Sequence, residues 1–243
     1  MSEASATPDS DGPGDHPAEG AEAATIPAAI ADRLRREILT GTIPPGSPIK
    51  ERDHAERLGI SRTPLREAVR ILAQEGLVTL RPLRSPLVTD MTRAEALDEV
   101  AVLRLLELHG GELACAHATE AEIAAIAALA RTVEANHAEG DPLEVFDLDM
   151  KMHRAIVAAG HNAALSRSHE EYLARLWRIR YLSARRRSDA AQVLADHRGM
   201  VAALRARDAG AMQRHMASHL DNLSRNVARH FDELDELDAP PPG

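Results

Sequence analysis

The apolar positions between Ile26 and Leu77 recur at helical spacing and fall into three groups. "IPAAIADRLRREILTG" places Ile30, Leu34 and Ile38 on one face and offers Gly41 as a stop, which predicts a first helix. "TIPPGSPI" interrupts the pattern as a turn, and "KERDHAERLG" predicts a short second helix ending at Gly59. A third helix opens at Ser61, a residue type suited to capping, with Pro64 in its first turn, where a missing N–H costs nothing. Leu65, Ala68, Val69 and Leu72 share one side of it and must face a core. The period then changes. "GLVTLRPLRSPLVTDM" has two short β-rich runs around a turn with Pro and Arg, the pattern of a hairpin.

From Thr92 to about Leu237 the helical period returns and stays. Breaks are predicted near Gly110–Gly111, Gly140–Pro142, Gly160–Asn162 and Asp208–Gly210, which gives roughly six helices. No internal repeat is present. The ends differ in character. Residues 1–25 hold Glu3, Asp9, Asp11, Asp15, Glu19 and Glu22 without a Lys or Arg, amid Pro, Gly, Ser and Ala, and read as a disordered acidic tail. "DAPPPG" at 238–243 reads as a second, shorter one. Two domains lie between the tails, residues 26–90 and 92–237.

Composition agrees with a mostly α fold. Aromatic residues make up 2% of the 243, and the apolar set is Ala, Leu, Val and Ile, which favours packed helices over sheets. The single cysteine, Cys115, cannot form an internal disulfide and points to a reducing cytoplasm; in its Ala-rich helix it reads as inert packing. No apolar run is long enough to span a membrane, and the N-terminus lacks the basic-then-apolar pattern of a signal peptide. A net charge of −9 argues on its own against a nucleic-acid partner. Its distribution changes that conclusion, because residues 50–86 carry eight basic and five acidic side chains.

Those basic residues are ordered. Arg62, Arg66 and Arg70 form a stripe along the third helix, with Thr63 beside it. Guanidinium groups at a helix N-terminus suit phosphates and guanine edges. Arg52 precedes the second helix, within reach of a backbone, and Arg81 and Arg84 sit in the hairpin turn. Helix, helix, capped helix and hairpin is the order of a winged helix-turn-helix, whose third helix enters the major groove. The alternative is a capped amphipathic helix with a solvated basic face.

The helical half carries a second constellation. In "FDLDMKMHRAIVAAGHN", Asp149 and His153 are one turn apart and share a face with or beside Phe146, Met150, Ile156 and Val157. Ionisable groups facing a core need a partner or a ligand. An Asp–His hydrogen bond inside the bundle satisfies that need, and so does a metal. Further on, His197 lies eleven residues before Asp208 and His219 eleven after it. Two antiparallel helices hinged there bring both to one height, whereas His215 is about 6 Å too near the loop at 1.5 Å per residue. Three imidazoles and a carboxylate suit zinc, nickel or manganese. Met200, Met212 and Met216 read as core filler rather than ligands, and His54, His109, His117, His137, His161 and His169 as solvated or partly buried. "RIRYLSARRR" at 178–187 is either a solvated helix end or a place where Arg178 or Arg180, near Trp177 and Tyr181, meets an anionic effector.

"LRREILTGTIPPGSPIKERDHAERLGISRTPLREAVRILAQEGLV" resembles the DNA-binding domain of the GntR family of bacterial transcription regulators, most specifically in "GISRTPLREA". The resemblance implies DNA contacts by Arg52, Arg62, Thr63 and Arg66. The wing departs from the family pattern, with Ser85 where glycine usually follows the arginine. The second half is similar to the all-helical FCD ligand-binding domain of the FadR-type branch. There a D-x-x-x-H followed by two later histidines is a metal signature, matched by Asp149, His153, His197 and His219. "AAGHN" stands where that branch often has a Gly-Asn pair, which puts Asn162 among the effector contacts. "VLRLLELHGGELACAHAT" is similar to the domain's first long helix. Glu107 matches, but Leu103 replaces the usual arginine and Arg104 is displaced by one position.

The resemblance implies a homodimeric repressor that binds operator double-stranded DNA and is released by a small carboxylate effector held at a divalent metal, zinc first, then nickel or manganese. Sugar acids, dicarboxylates and aromatic acids are the usual effectors of the branch. A sensor of the metal itself is one rival. A metallohydrolase fused to a DNA-binding domain is another, against which stands the lack of a general base beside the ligands.

Overall fold

A computed structural model describes residues 25–185 and 190–238. The two tails expected at 1–25 and 238–243 fall outside these apart from Thr25 and Asp238, as do Arg186 and Arg187 of the basic run. The described residues form ten helices and one two-stranded sheet.

The head comprises α1 (Ile26–Leu39), α2 (Glu51–Leu58), α3 (Arg62–Gln74) and a hairpin of β1 (Val78–Thr79) with antiparallel β2 (Leu87–Val88). Ile30, Leu34 and Ile38 are buried with Leu65, Val69 and Leu72, so the two predicted apolar faces pack on each other. Gly59 ends α2 in a left-handed conformation, φ 67°. Ser61 occupies the N-cap of α3 with extended backbone, but its exposed side chain makes no capping hydrogen bond, contrary to the expected role. Reciprocal capping boxes occur instead at Thr92–Glu95 and Thr119–Glu122, which fix the starts of the next two helices.

The body is α4 (Arg93–His117), α5 (Glu120–Asn136), α6 (Pro142–Ala158), α7 (Ala163–Arg175), α8 (Trp177–Ala184), α9 (Ala190–Ala206) and α10 (Ala209–Asp238). Helices α4 and α10 pack along their length, and α9 and α10 form the antiparallel pair predicted about Asp208, whose Oδ1 accepts from Ala211 N at 2.9 Å. The break predicted at Gly110–Gly111 is absent: α4 runs through both. The glycines serve close packing instead. A Cβ on Gly110 would lie 2.9 Å from Val157 Cγ2, and one on Gly111 2.8 Å from Met212 Cγ. A break the sequence does not mark separates α7 from α8 at Leu176, with no glycine or proline near it. The described residues therefore give seven body helices rather than about six. Met200, Met212, Met216 and Cys115 are core residues, as expected. No helix among the described residues is long and apolar enough to cross a membrane.

Head and body share one apolar cluster. Leu143, Phe146, Met150, Leu173, Trp177 and Tyr181 of the body are buried together with the head's α1 and α3 core. Gly76, at the end of α3, lies so close to the C-terminal turn of α7 that a Cβ would fall 2.1 Å from Ala174 O. Arg36 Nη1 bonds to Asp141 Oδ2 at 3.0 Å across the same seam.

Candidate functional site

Helices α6, α9 and α10 bring Asp149, His153, His197 and His219 together, with one donor atom from each inside a sphere where no two are more than 4.8 Å apart. The histidine ring centroids are 4.8–5.9 Å from one another. Asp149 Oδ1 is 3.2 Å from His197 Nε2 and 3.7 Å from His153 Nε2, and neither contact is directed as a hydrogen bond. Asp149 Oδ1, His153 Nε2, His197 Nε2 and His219 Nδ1 are all buried without a hydrogen-bond partner among the described residues. Four orphaned donors converging in a core are costly unless something binds them. Around a tetrahedral ion with bonds of about 2.1 Å the ligand atoms lie about 3.4 Å apart, so the widest pair would close by roughly an ångström on binding. His215 lies outside the cluster, its Nδ1 3.4 Å from Asp196 Oδ1.

Burial keeps two of these rings in a ligating state. Burial pushes His197 down to about 4, against the opposing pull of Asp149. Burial, then His153 and His197, lower His219 well below the usual imidazole range. Both are neutral at physiological pH and present a lone pair. Behind His153 lies Glu107, fully buried on α4, with Oε2 2.7 Å from His153 Nδ1, a close ion-pair contact not directed as a hydrogen bond. Its Oε1 accepts from Arg180 Nη1 at 2.9 Å and lies 3.3 Å from His169 Nε2. Burial alone would raise this carboxyl, but His153 and Arg180 hold it well below the usual range. A charged Glu107 thus anchors the back of the His153 ring, so that Nε2 faces the cluster.

Asp149, His197 and His219 line a cavity of about 260 Å³, with His153 behind them and Val133, Val145, Phe146, Met150, Val193 and Leu223 as apolar walls. Arg180, Tyr181, Asn222 and Asn226 add polar groups, and Arg185 lies at the edge. Of the side chains expected to meet an effector, Arg180 lines this space. Arg178 is absent from the lining, and its buried Nε has no hydrogen-bond partner. Asn162 is exposed and caps α7, its Oδ1 accepting from Leu165 N at 3.1 Å, so helix capping rather than the cavity explains it. Arg104 pairs with Asp221 at 3.0 Å away from the cavity, and Leu103 is core.

On the head, Arg52, Arg62, Thr63, Arg66 and Arg84 are exposed, and Arg52 lies in the first turn of α2 rather than before it, because the helix already starts at Glu51. Arg66 Nε pairs with Glu51 Oε2 at 2.6 Å and Arg70 with Glu67 at 2.7 Å, both at the surface, where such pairs yield readily to a phosphate. Arg81 differs. Its guanidinium donates twice to Ser85 O, at 2.9 and 2.7 Å, and so braces the hairpin turn.

Residues 99–222 match the FCD domain, and residues 27–88 match the bacterial regulatory proteins of the gntR family. The chain belongs to the GntR family.

It is therefore a DNA-binding transcription regulator of the FadR-type branch, with an N-terminal helix-turn-helix and a helical FCD domain. The GntR match is consistent with its relatives. The chain is 28% identical over 201 residues to the HTH-type transcriptional repressor RspR of Escherichia coli K12, covering 80% of this chain and 85% of that one. It is 30% identical over 218 residues to an HTH-type regulator of Streptomyces ambofaciens, covering 85% and 88%. In fold it is similar to E. coli McbR/YncC, with a TM-score of 0.67 at 19% identity over 86% of this chain and 99% of that one.

Two features of this GntR chain lie outside the expectations from sequence. His169, expected to be solvated or partly buried, is 1% exposed and sits against Glu107. A signal for it exists, because Leu165, His169 and Leu173 form one stripe of α7. Asn222 and Asn226 follow His219 on the same face of α10, at the spacing that carries a residue into the core.

Proposed function

We propose that the chain is a homodimeric repressor in the cytoplasm whose operator affinity is set by a small organic acid bound at a metal in the FCD domain. One observation carries this reading: Asp149, His153, His197 and His219 converge without hydrogen-bond partners, and three of the four line a cavity large enough for a small acid. Asp149, His153, His197 and His219 would hold the ion, and it would supply a fixed positive charge for a carboxylate. Glu107 fixes the His153 ring, and the apolar walls exclude water from the acid's body.

The route to DNA is physical. Phe146, Met150 and Tyr181 line the cavity and also belong to the apolar cluster of the head. A ligand that repacks these side chains acts directly on the seat of the DNA reader. Arg52, Arg62, Thr63 and Arg66 would contact the operator, with Arg84 at the wing, while Arg81 acts by shaping the wing. The metallohydrolase alternative lacks support, since Asp149 is in the ligand set and Glu107 is engaged by Arg180 and His169.

The test is calorimetric titration of small carboxylates into metal-loaded protein, with and without DNA from upstream of its own gene. Coupling of about 1–3 kcal/mol would change affinity roughly 5- to 150-fold, reciprocally. Identical affinities with and without DNA would refute the linkage.

A further inference from the structure

Resting on that reading of the cavity, we propose that the effector is a monocarboxylate with an apolar body, and not a polyhydroxylated acid or a dicarboxylate. Charge and wall chemistry both point there.

The fixed charges at the floor are few. Asp149 is negative and Arg180 positive, and buried Glu107 lies behind Arg180. Arg180 is 3% exposed and already committed to Glu107 at 2.9 Å, so these two cancel at short range. A divalent ion at the cluster would add two positive charges against Asp149. The sum over the described residues at the floor is then one positive charge, which one carboxylate neutralises. A second carboxylate would have to lie against Val133, Val145, Phe146, Val193 or Leu223, or turn out toward Arg185, which is exposed and offers a screened charge.

The walls treat hydroxyl groups likewise. Beyond the floor and the rim, the polar groups of the lining are few: Asn222 and Asn226 on α10, 3% and 5% exposed and bonded to each other at 3.5 Å, together with His137, and Ser183, whose hydroxyl already donates to Ile179 O at 2.8 Å. These side chains can satisfy two or so polar groups on a ligand. A sugar acid carries a hydroxyl on nearly every carbon, and those facing the valines and Leu223 would be desolvated without a partner. The edge-on aromatics Phe146 and Tyr181, 5.4 Å apart, instead offer contact surface to an aliphatic or aromatic body.

The experiment is calorimetric titration of the full-length, zinc-loaded protein with phenylacetate, 4-methylpentanoate, gluconate and glutarate, each repeated on protein stripped with a chelator. The expected result is that phenylacetate or 4-methylpentanoate binds about tenfold or more tightly than gluconate and glutarate, and that stripping weakens this binding. One unpartnered hydroxyl or charge suffices for such a factor. Gluconate or glutarate binding as tightly as the apolar acids, in a zinc-dependent way, overturns the ligand class and leaves the metal-linked function standing. The predicted order persisting unchanged after stripping upholds the class and overturns the metal's part in the function. No binding of either apolar acid to the zinc-loaded protein overturns the class.

Discussion

A single methyl group at Gly76 tests whether the DNA-reading head is seated on the body as described. Gly76 has φ 70°, and its missing Cβ would lie 2.1 Å from Ala174 O and 2.4 Å from Ala174 C. Ordinary contact begins near 3.4 Å, so in Gly76→Ala the head must retreat by about 1.3 Å from a rigid backbone. The left-handed conformation costs alanine about 1–2 kcal/mol by itself. Gly41 provides the control, with φ 82° and nothing within 4 Å of the place a Cβ would take. Gly41→Ala should therefore show the conformational cost alone. Gly76→Ala should lose roughly 2 kcal/mol more, because a gap of an ångström forfeits a quarter to a half of each packing contact across the seam. Trp177 is the chain's one tryptophan and is buried in that seam, so its fluorescence reports the seating directly. In urea titrations, Gly76→Ala should show red-shifted native emission and an earlier transition than Gly41→Ala. Equal stability losses with unchanged native emission would refute the seating.

Two further outcomes are expected. Arg66→Ala should weaken operator binding by about 1–3 kcal/mol in anisotropy titrations at fixed salt, as for loss of a base contact, and unchanged affinity would remove Arg66 from the interface. Asp147 is half-buried beside Trp177, with Oδ1 lacking a hydrogen bond, and burial raises its pKa. A folded pKa above the unfolded one favours the fold at low pH and loses that contribution as pH rises through the folded value. Asp147→Asn should thus be more stable than the parent at pH 7, with the advantage shrinking as pH falls through the raised folded value and gone below about pH 4; a difference independent of pH would contradict it.

Periodicity makes most of the fold legible. The faces of α1 and α3, the hairpin and the α9–α10 pair follow from spacing and turn chemistry. The glycines of α4 mislead because, in a helix packed at short range, glycine marks contact with Val157 and Met212 rather than termination. The break at Leu176 leaves no trace because neither glycine nor proline makes it. Within the site, the residues equidistant from Asp208 are readable from helix geometry. The partners of Glu107 are not, since they come from α6, α7 and α8, and no local pattern states which helices meet. Asn162 shows the opposite error: a polar residue just after a glycine-containing break resembles a ligand contact, yet the helix it begins already uses its side chain.

The account depends most on an ion at Asp149, His153, His197 and His219, and elemental analysis of two purified variants tests it directly. His215 is one turn from His219 on α10, yet its ring packs on Gly199, where a Cβ would lie 2.4 Å from it, and its Nδ1 faces Asp196. The unsubstituted protein should hold about one transition-metal ion per chain, His215→Ala should retain it, and His219→Ala should lose most of it. Retention in His219→Ala with loss in His215→Ala, or no transition metal in the unsubstituted protein after growth and dialysis with zinc, would contradict the account.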